Sequence, residues 1–347
     1  MSPDPPSFPW PAGSATGVGS MPGIDPAQAI AAVFAELPDL PHLPELPGRG
    51  PGSDLVGRTA ALLVGMPVET TTGGWRLAAR PGRDASRAAS MLARDLDELE
   101  EAAQNWDGPL KVQACGPWTM AAAIELTRRQ DPALADPGAV ADLTASLAEG
   151  VAAHVAEVSK RVPGATVLLQ LDEPSLPAVL AGAVPSASGL NRITEVEGAT
   201  AAAGLRTILT GAGVFSIVHC CAPAAPLTVI AAAGAGAVSL DLSLLRRDEE
   251  DGLAETVEAG LGVLAGATGT AGPGRQPGRP PAPRDVAQRV RELWHRIGQP
   301  PAAATASVVI TPSCGLARAT PAAARQILAR CRDAARILPE LIEEGQP

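Results

Sequence analysis

The chain has 347 residues, 46% of them apolar, and a formal charge of −10 with a pI near 5.0. That length can bury a large core, and an acidic chain of this kind argues against nucleic acid and anionic membrane as partners. Five cysteines, odd in number and unevenly spaced, do not make a disulfide framework and suit a reducing cytoplasm. No basic, apolar leader opens the sequence and no run of 18 apolar residues interrupts it, so neither a signal peptide nor a membrane span is expected.

Residues 1–13 are Pro-rich and expected to be flexible; residues 14–340 are expected to form one domain. A short strand over 16–20 runs into a Gly-Ser turn. Helical spacing over 26–37 follows Asp25, a natural N-cap. Residues 38–54 are dense in Pro and Gly and read as a loop. An amphipathic helix over 84–104 precedes a strand over 110–114, which ends at Cys115-Gly116-Pro117. A long Ala-rich helix over 137–161 leads to an apolar strand over 166–171, closed by Asp172-Glu173-Pro174. Helix and strand then alternate: 195–209, strand 214–218, 223–233, strand 237–240, 251–260, strand 261–267. A Pro/Gly/Arg linker over 272–283, a helix over 284–297, a strand over 307–310 and a helix over 321–338 complete the chain.

Strand then helix, repeated about eight times, is the pattern of a parallel sheet wrapped by helices. The strands are continuous apolar runs, as buried parallel strands are. Ser20, Asp172, His219, Asp241 and Cys314 all fall at C-terminal strand ends, where a closed (β/α)8 TIM barrel keeps its site. The 17–19 segment lacks the third glycine of a dinucleotide fingerprint.

Side chains two apart on an extended segment share a side, so His219 and Cys221 face one point while Cys220 turns away. Cys314 arrives after another apolar run. One imidazole and two thiolates are three of the four ligands a zinc ion takes, and Asp241 offers an oxygen for the fourth place. The alternative is a set of buried residues in a core that tolerates cysteine, since free Cys is often buried. Cys115 and Cys331 read as core thiols, and His42, His154 and His295 as core or surface. The adjacent carboxylates Asp172 and Glu173 either cap a turn or meet a cation such as a substrate ammonium.

With these residues the chain resembles the catalytic C-terminal domain of the cobalamin-independent methionine synthases. The resemblance runs from about Gly17 to Leu338. It is carried by Val18-Gly19-Ser20-Met21-Pro22, Gly116-Pro117-Trp118-Thr119-Met120, Leu171-Asp172-Glu173-Pro174, His219-Cys220-Cys221, Leu240-Asp241 and Ser313-Cys314-Gly315-Leu316. It implies a TIM barrel of the uroporphyrinogen-decarboxylase and methionine-synthase type, standing alone without the N-terminal half of the two-barrel members. It implies Zn2+ on His219, Cys221 and Cys314, with Asp241 where the family has Glu. It further implies that Gly19 and Ser20 hold the carboxylate of homocysteine and Asp172 its ammonium group. The implied reaction is methyl transfer to the homocysteine thiol, giving methionine, from a methylfolate or a methyl-corrinoid.

The methyl-donor half departs from the family. Residues 262–283 contain no His to serve as the family's acid. The folate-stacking Trp aligns near Ala123, with Trp118 close but unmatched, and the folate-contacting Arg has only Arg76 as a candidate. No counterpart is evident for a second carboxylate on the substrate amine. The alternatives are a corrinoid-to-thiol methyltransferase with another acceptor, with a corrinoid protein as a candidate partner, and a non-catalytic zinc- or homocysteine-binding homologue. A decarboxylase would have no use for a thiolate set.

Overall fold

A computed structural model describes residues 7–128, 130–270 and 280–344. The strands are β1 (Val68–Thr71), β2 (Gly74–Leu77), β3 (Pro109–Cys115), β4 (Ile124–Glu125), β5 (Thr166–Asp172), β6 (Ser216–Cys220), β7 (Ala237–Asp241), β8 (Gly262–Thr268) and β9 (Val308–Pro312). Six of them pair in parallel in the order β3-β5-β6-β7-β8-β9. Crossover helices such as Pro137–Arg161 and Gly198–Ala212 cover the outside, as parallel connections require.

Two short segments close the ring between β9 and β3. Ala15 bridges Ile310, Ser20 bridges Glu45, and His42 bridges Lys111, all in parallel. The second segment lies within the stretch expected to be a loop. Its prolines hide it: Pro38, Pro41, Pro44 and Pro47 have no N–H to give a ladder. The pairing avoids them. The N–H groups of Leu43 and Glu45 donate to the carbonyls of Lys111 and Gly19, while Pro41 only accepts. The small sheet β1-β2-β4 was not expected either; its strands are two to four residues long, too short for a period to show.

The N-terminal segment is docked from Phe8 onward, which corrects the expectation of a loose tail. Trp10 is buried among Leu40, Leu168, Ile217, Ala237, Leu264 and Val309, and its indole N–H donates to Ala306 O at 3.1 Å. Phe8 stacks on it at 5.1 Å and Phe215 meets it edge-on at 5.3 Å. Together these apolar side chains stop one end of the barrel, each leucine-sized chain contributing about 1.5–3 kcal/mol on full burial. Prolines do not prevent ordering where aromatic anchors follow them. Residues 1–6, and residues 271–279 of the expected linker, lie outside the described residues.

Polar side chains gather at the opposite, C-terminal end. Inward positions repeat every second residue, so Leu168, Gln170 and Asp172 on β5 run from the apolar plug to the mouth, as do Ile217 and His219 on β6.

Candidate metal centre

β6 extends to Cys220, two residues beyond the expected end, and its register sets His219 beside Asp172 on β5 and Ser239 on β7. The ligand atoms of His219, Cys221 and Cys314 all lie within 4.8 Å of one another, and the two sulfurs are 3.4 Å apart. Cys220 is buried on the other side of its strand, lining a cleft with Leu240 and Leu245. His219 Nδ1 is 2.9 Å from Ser239 Oγ, which fixes the ring, and Nε2 is buried with no hydrogen-bond partner among the described residues. An orphaned buried nitrogen is costly unless something binds it.

The sulfurs behave as a strained pair. A hydrogen bond from Cys221 and the nearby His219 ring hold the Cys314 thiol below its ordinary range, whereas the same contact, and then burial, push Cys221 up. Two thiolates this close repel unless a cation lies between them. The donor set of one nitrogen and two sulfurs, with Nε2 unpartnered among the described residues, therefore fits a zinc ion.

Gly315 secures the Cys314 turn against the first barrel segment. Any Cβ there would collide with Ser20 Oγ, and Leu316 N–H donates to Ser20 O at 2.7 Å. Asp241, the expected fourth ligand, is not brought into the cluster. Its Oδ1 accepts from Ser243 N at 2.8 Å and Ser243 Oγ at 2.7 Å, and its residue lines the outer cleft with Cys220. The shorter carboxylate is satisfied within its own turn.

A cavity of about 480 Å3 opens over the cluster and is lined also by Gly19, Ser20, Glu45, Asp172, Thr270 and Arg318. The structure thus brings Gly19, Ser20 and Asp172 beside the three metal-site residues. Asp172 accepts from Gln170 Nε2 at 2.6 Å, and burial raises its pKa against the pull of His219 and Lys111. Its neighbour Glu173 turns the other way. It accepts from the Trp118 N–H, the Thr119 N–H and the Thr119 hydroxyl at 2.9, 2.8 and 2.7 Å, holding the first turn of the helix Pro117–Ala123. Of the two carboxylates, one faces the cavity and one is a helix cap.

Glu45 is the residue the sequence did not offer. It sits at the end of the hidden second barrel segment, only 3% exposed, and its Oε1 has no partner among the described residues. Burial pushes its carboxyl up to about 7 against the pull of Arg58, and Asp172 adds to the rise. The only signal was a charged residue amid prolines.

On the side expected to meet a methyl donor, the candidates are tied down elsewhere. Trp118 is buried and donates to Ala201 O at 2.9 Å. Arg76 pairs with Glu69 across the β1-β2 hairpin.

A parallel barrel that gathers an imidazole and two thiols at its C-terminal mouth has the donor set of a candidate metal site where such barrels keep their chemistry. The family described as "Cobalamin-independent synthase, Catalytic domain" matches residues 81–337, and the chain belongs to that family. Among solved structures, a B12-independent methionine synthase from Shewanella sp. W3-18-1, in complex with selenomethionine, is similar at 12% identity and TM-score 0.63. The alignment covers 96% of this chain and 99% of that one. At that identity the likeness is one of fold. A tryptophan synthase from Pyrococcus furiosus also aligns, with 13% identity and coverage of 96% and 98%, but its TM-score of 0.41 carries no argument. A search of curated proteins finds no match. No helix among the described residues is long and apolar enough to cross a membrane.

Proposed function

We propose that this protein is a zinc-dependent S-methyltransferase that methylates homocysteine to methionine, with residues 14–340 acting as one catalytic unit in the cytoplasm, where its five unpaired thiols stay reduced. The observation that carries the reading is the convergence of His219, Cys221 Sγ and Cys314 Sγ, with no hydrogen-bond partner for Nε2 among the described residues. These three residues would hold the zinc. When bound, the metal supplies a thiol that is deprotonated at neutral pH.

The chain's own groups do the rest. Glu45, with Oε1 unpartnered among the described residues, and Asp172, whose Oδ1 accepts from Gln170, both face the cavity, and the substrate ammonium is the cation that meets the two carboxylates. Gly19 and Ser20 receive the carboxylate. With the amino-acid end fixed, the sulfur arrives already oriented. A new S–CH3 bond forms as the donor–CH3 bond breaks, and the thiol proton leaves to solvent. Ser239 keeps His219 in one tautomer and orientation.

The use of Trp118 and Arg76 in local packing, and the lack of His over 262–283, favour a methyl-corrinoid over methylfolate as donor, either free or on a corrinoid protein. The test is single-turnover transfer to homocysteine in zinc-loaded protein, first from methylcobalamin and then from methylfolate. Methionine formed from the first supports the reading; transfer from methylfolate alone reverses the donor assignment. Homocysteine binding without transfer from either would make the chain a non-catalytic binding homologue, and transfer only to other thiols a different corrinoid-to-thiol enzyme.

A further inference from the structure

We propose that Lys111 is the positioning residue that joins both halves of the amino-acid cradle, holding the Val18–Gly19 peptide directly and the Asp172 carboxylate through Gln170. The inference rests on the assignment of that cradle to an amino-acid substrate.

Lys111 is entirely buried inside the barrel on β3. Its Nζ donates to Val18 O at 2.9 Å and to Gln170 Oε1 at 2.8 Å. Gln170 Nε2 in turn donates to the same Val18 O at 2.8 Å and to Asp172 Oδ1 at 2.6 Å. The chain of bonds ends at Val18 and Asp172, both of which line the cavity. The peptide between Val18 and Gly19 is planar and trans, so a carbonyl drawn to Lys111 aims the Gly19 N–H the opposite way, away from the ammonium. A donor so aimed suits a carboxylate. The backbone of Lys111 pairs with Pro41 and Leu43, two residues short of Glu45, so the strand segment bearing the second carboxylate is anchored on the same residue.

The charge belongs there too. Asp172 and Glu45 would repel one another in a site closed to water, and a fixed cation beneath them offsets that repulsion. Burial draws the Lys111 ammonium down to about 8, while Asp172 and Glu45 hold it up. Composition supports a specific need: Lys111 and Lys160 are the only lysines in a chain with 25 arginines. Where basic residues are otherwise almost all Arg, the compact ammonium sits where a planar five-donor fork would find only two acceptors.

The test separates positioning from general support. Methionine binding is titrated calorimetrically in the full chain, metal-free and zinc-loaded, for wild type, Lys111→Met and Gln170→Leu. Propanethiol binding is read separately in the cobalt-loaded proteins by thiolate-to-metal absorption. Lys111→Met should weaken methionine at least ~10-fold and leave propanethiol within about twofold, because the alkyl thiol uses the metal and not the cradle. Gln170→Leu should weaken methionine less, and should spare 4-(methylthio)butanoate, which lacks the amino group; Lys111→Met should weaken both. Lys111→Arg should not restore binding. Equal losses for methionine and propanethiol, or methionine binding unchanged in Lys111→Met, overturn the proposal. If Lys111→Met fails to fold, the contrast between the two acids in Gln170→Leu decides it: equal loss for both counts against. A wild-type protein that takes propanethiol on cobalt but not methionine removes the amino-acid reading itself, and this inference with it.

Discussion

Two sets of side chains are finished to different degrees. In one, His219, Cys221, Cys314, Asp172 and Glu45 converge on a shared cavity, and His219 Nε2 and Glu45 Oε1 have no partner among the described residues. In the other, Asp241 closes its own turn, Trp118 is spent in the core, and Arg76 is paired with Glu69. Unsatisfied groups held in place by a rigid scaffold mark where a ligand is expected; satisfied ones mark where the protein has already completed its own bonding. Under the proposed function, the contrast puts the thiol-acceptor half in this chain and leaves the donor to be recognised by other means.

The largest effect should come from the sulfurs. Cys314→Ser should lower zinc content from about one per chain to near none and abolish transfer, because a site with one imidazole and one thiolate no longer holds a structural set. Metal analysis after dialysis reads it, and a variant with full zinc and full rate would place the metal elsewhere. Next is Glu45. In metal-free protein, methionine affinity should fall as pH drops from 8 to 6, since protonation near 7 removes the charge that meets the ammonium, with Arg58, Lys111 and Asp172 as the charged groups around it. Glu45→Gln should cost ~10-fold at pH 8, about 1.4 kcal/mol, and flatten the pH slope. A retained slope would assign the titration to another group.

Ser239→Ala should loosen the His219 ring and weaken zinc binding by ~10–100-fold with the thiol cradle untouched. A competitive chelator titration measures it. Smallest is Asp241→Ala. It removes a turn cap worth about 0.5–1 kcal/mol and should leave zinc affinity unchanged. A tenfold loss of zinc affinity would move Asp241 from its turn into the metal shell and erase part of the contrast between the two sets.

Much of this was legible in the residues themselves. The alternation of helix and apolar strand specified the barrel because each such strand must be covered on both faces. The two-residue step from His219 to Cys221 specified a shared face because extended backbone alternates sides. The second barrel segment was not legible, since its prolines imitate a loop and only the neighbouring strands reveal which N–H groups are needed. Glu45 was hidden with it. The split between Asp172 and Glu173 was also invisible, because adjacent carboxylates look alike until one finds a helix start.

By itself the sequence determined the class of fold, the end of the barrel that carries chemistry, and the three side chains able to grip a metal. Those follow from periodicity and ligand type, which are local properties. The tertiary structure alone decided which carboxylates face the cavity, and that Lys111 lies buried within the barrel, bonded to Val18 and Gln170. Each of these depends on what a side chain meets across the barrel, tens of residues away, and no local pattern encodes that distance.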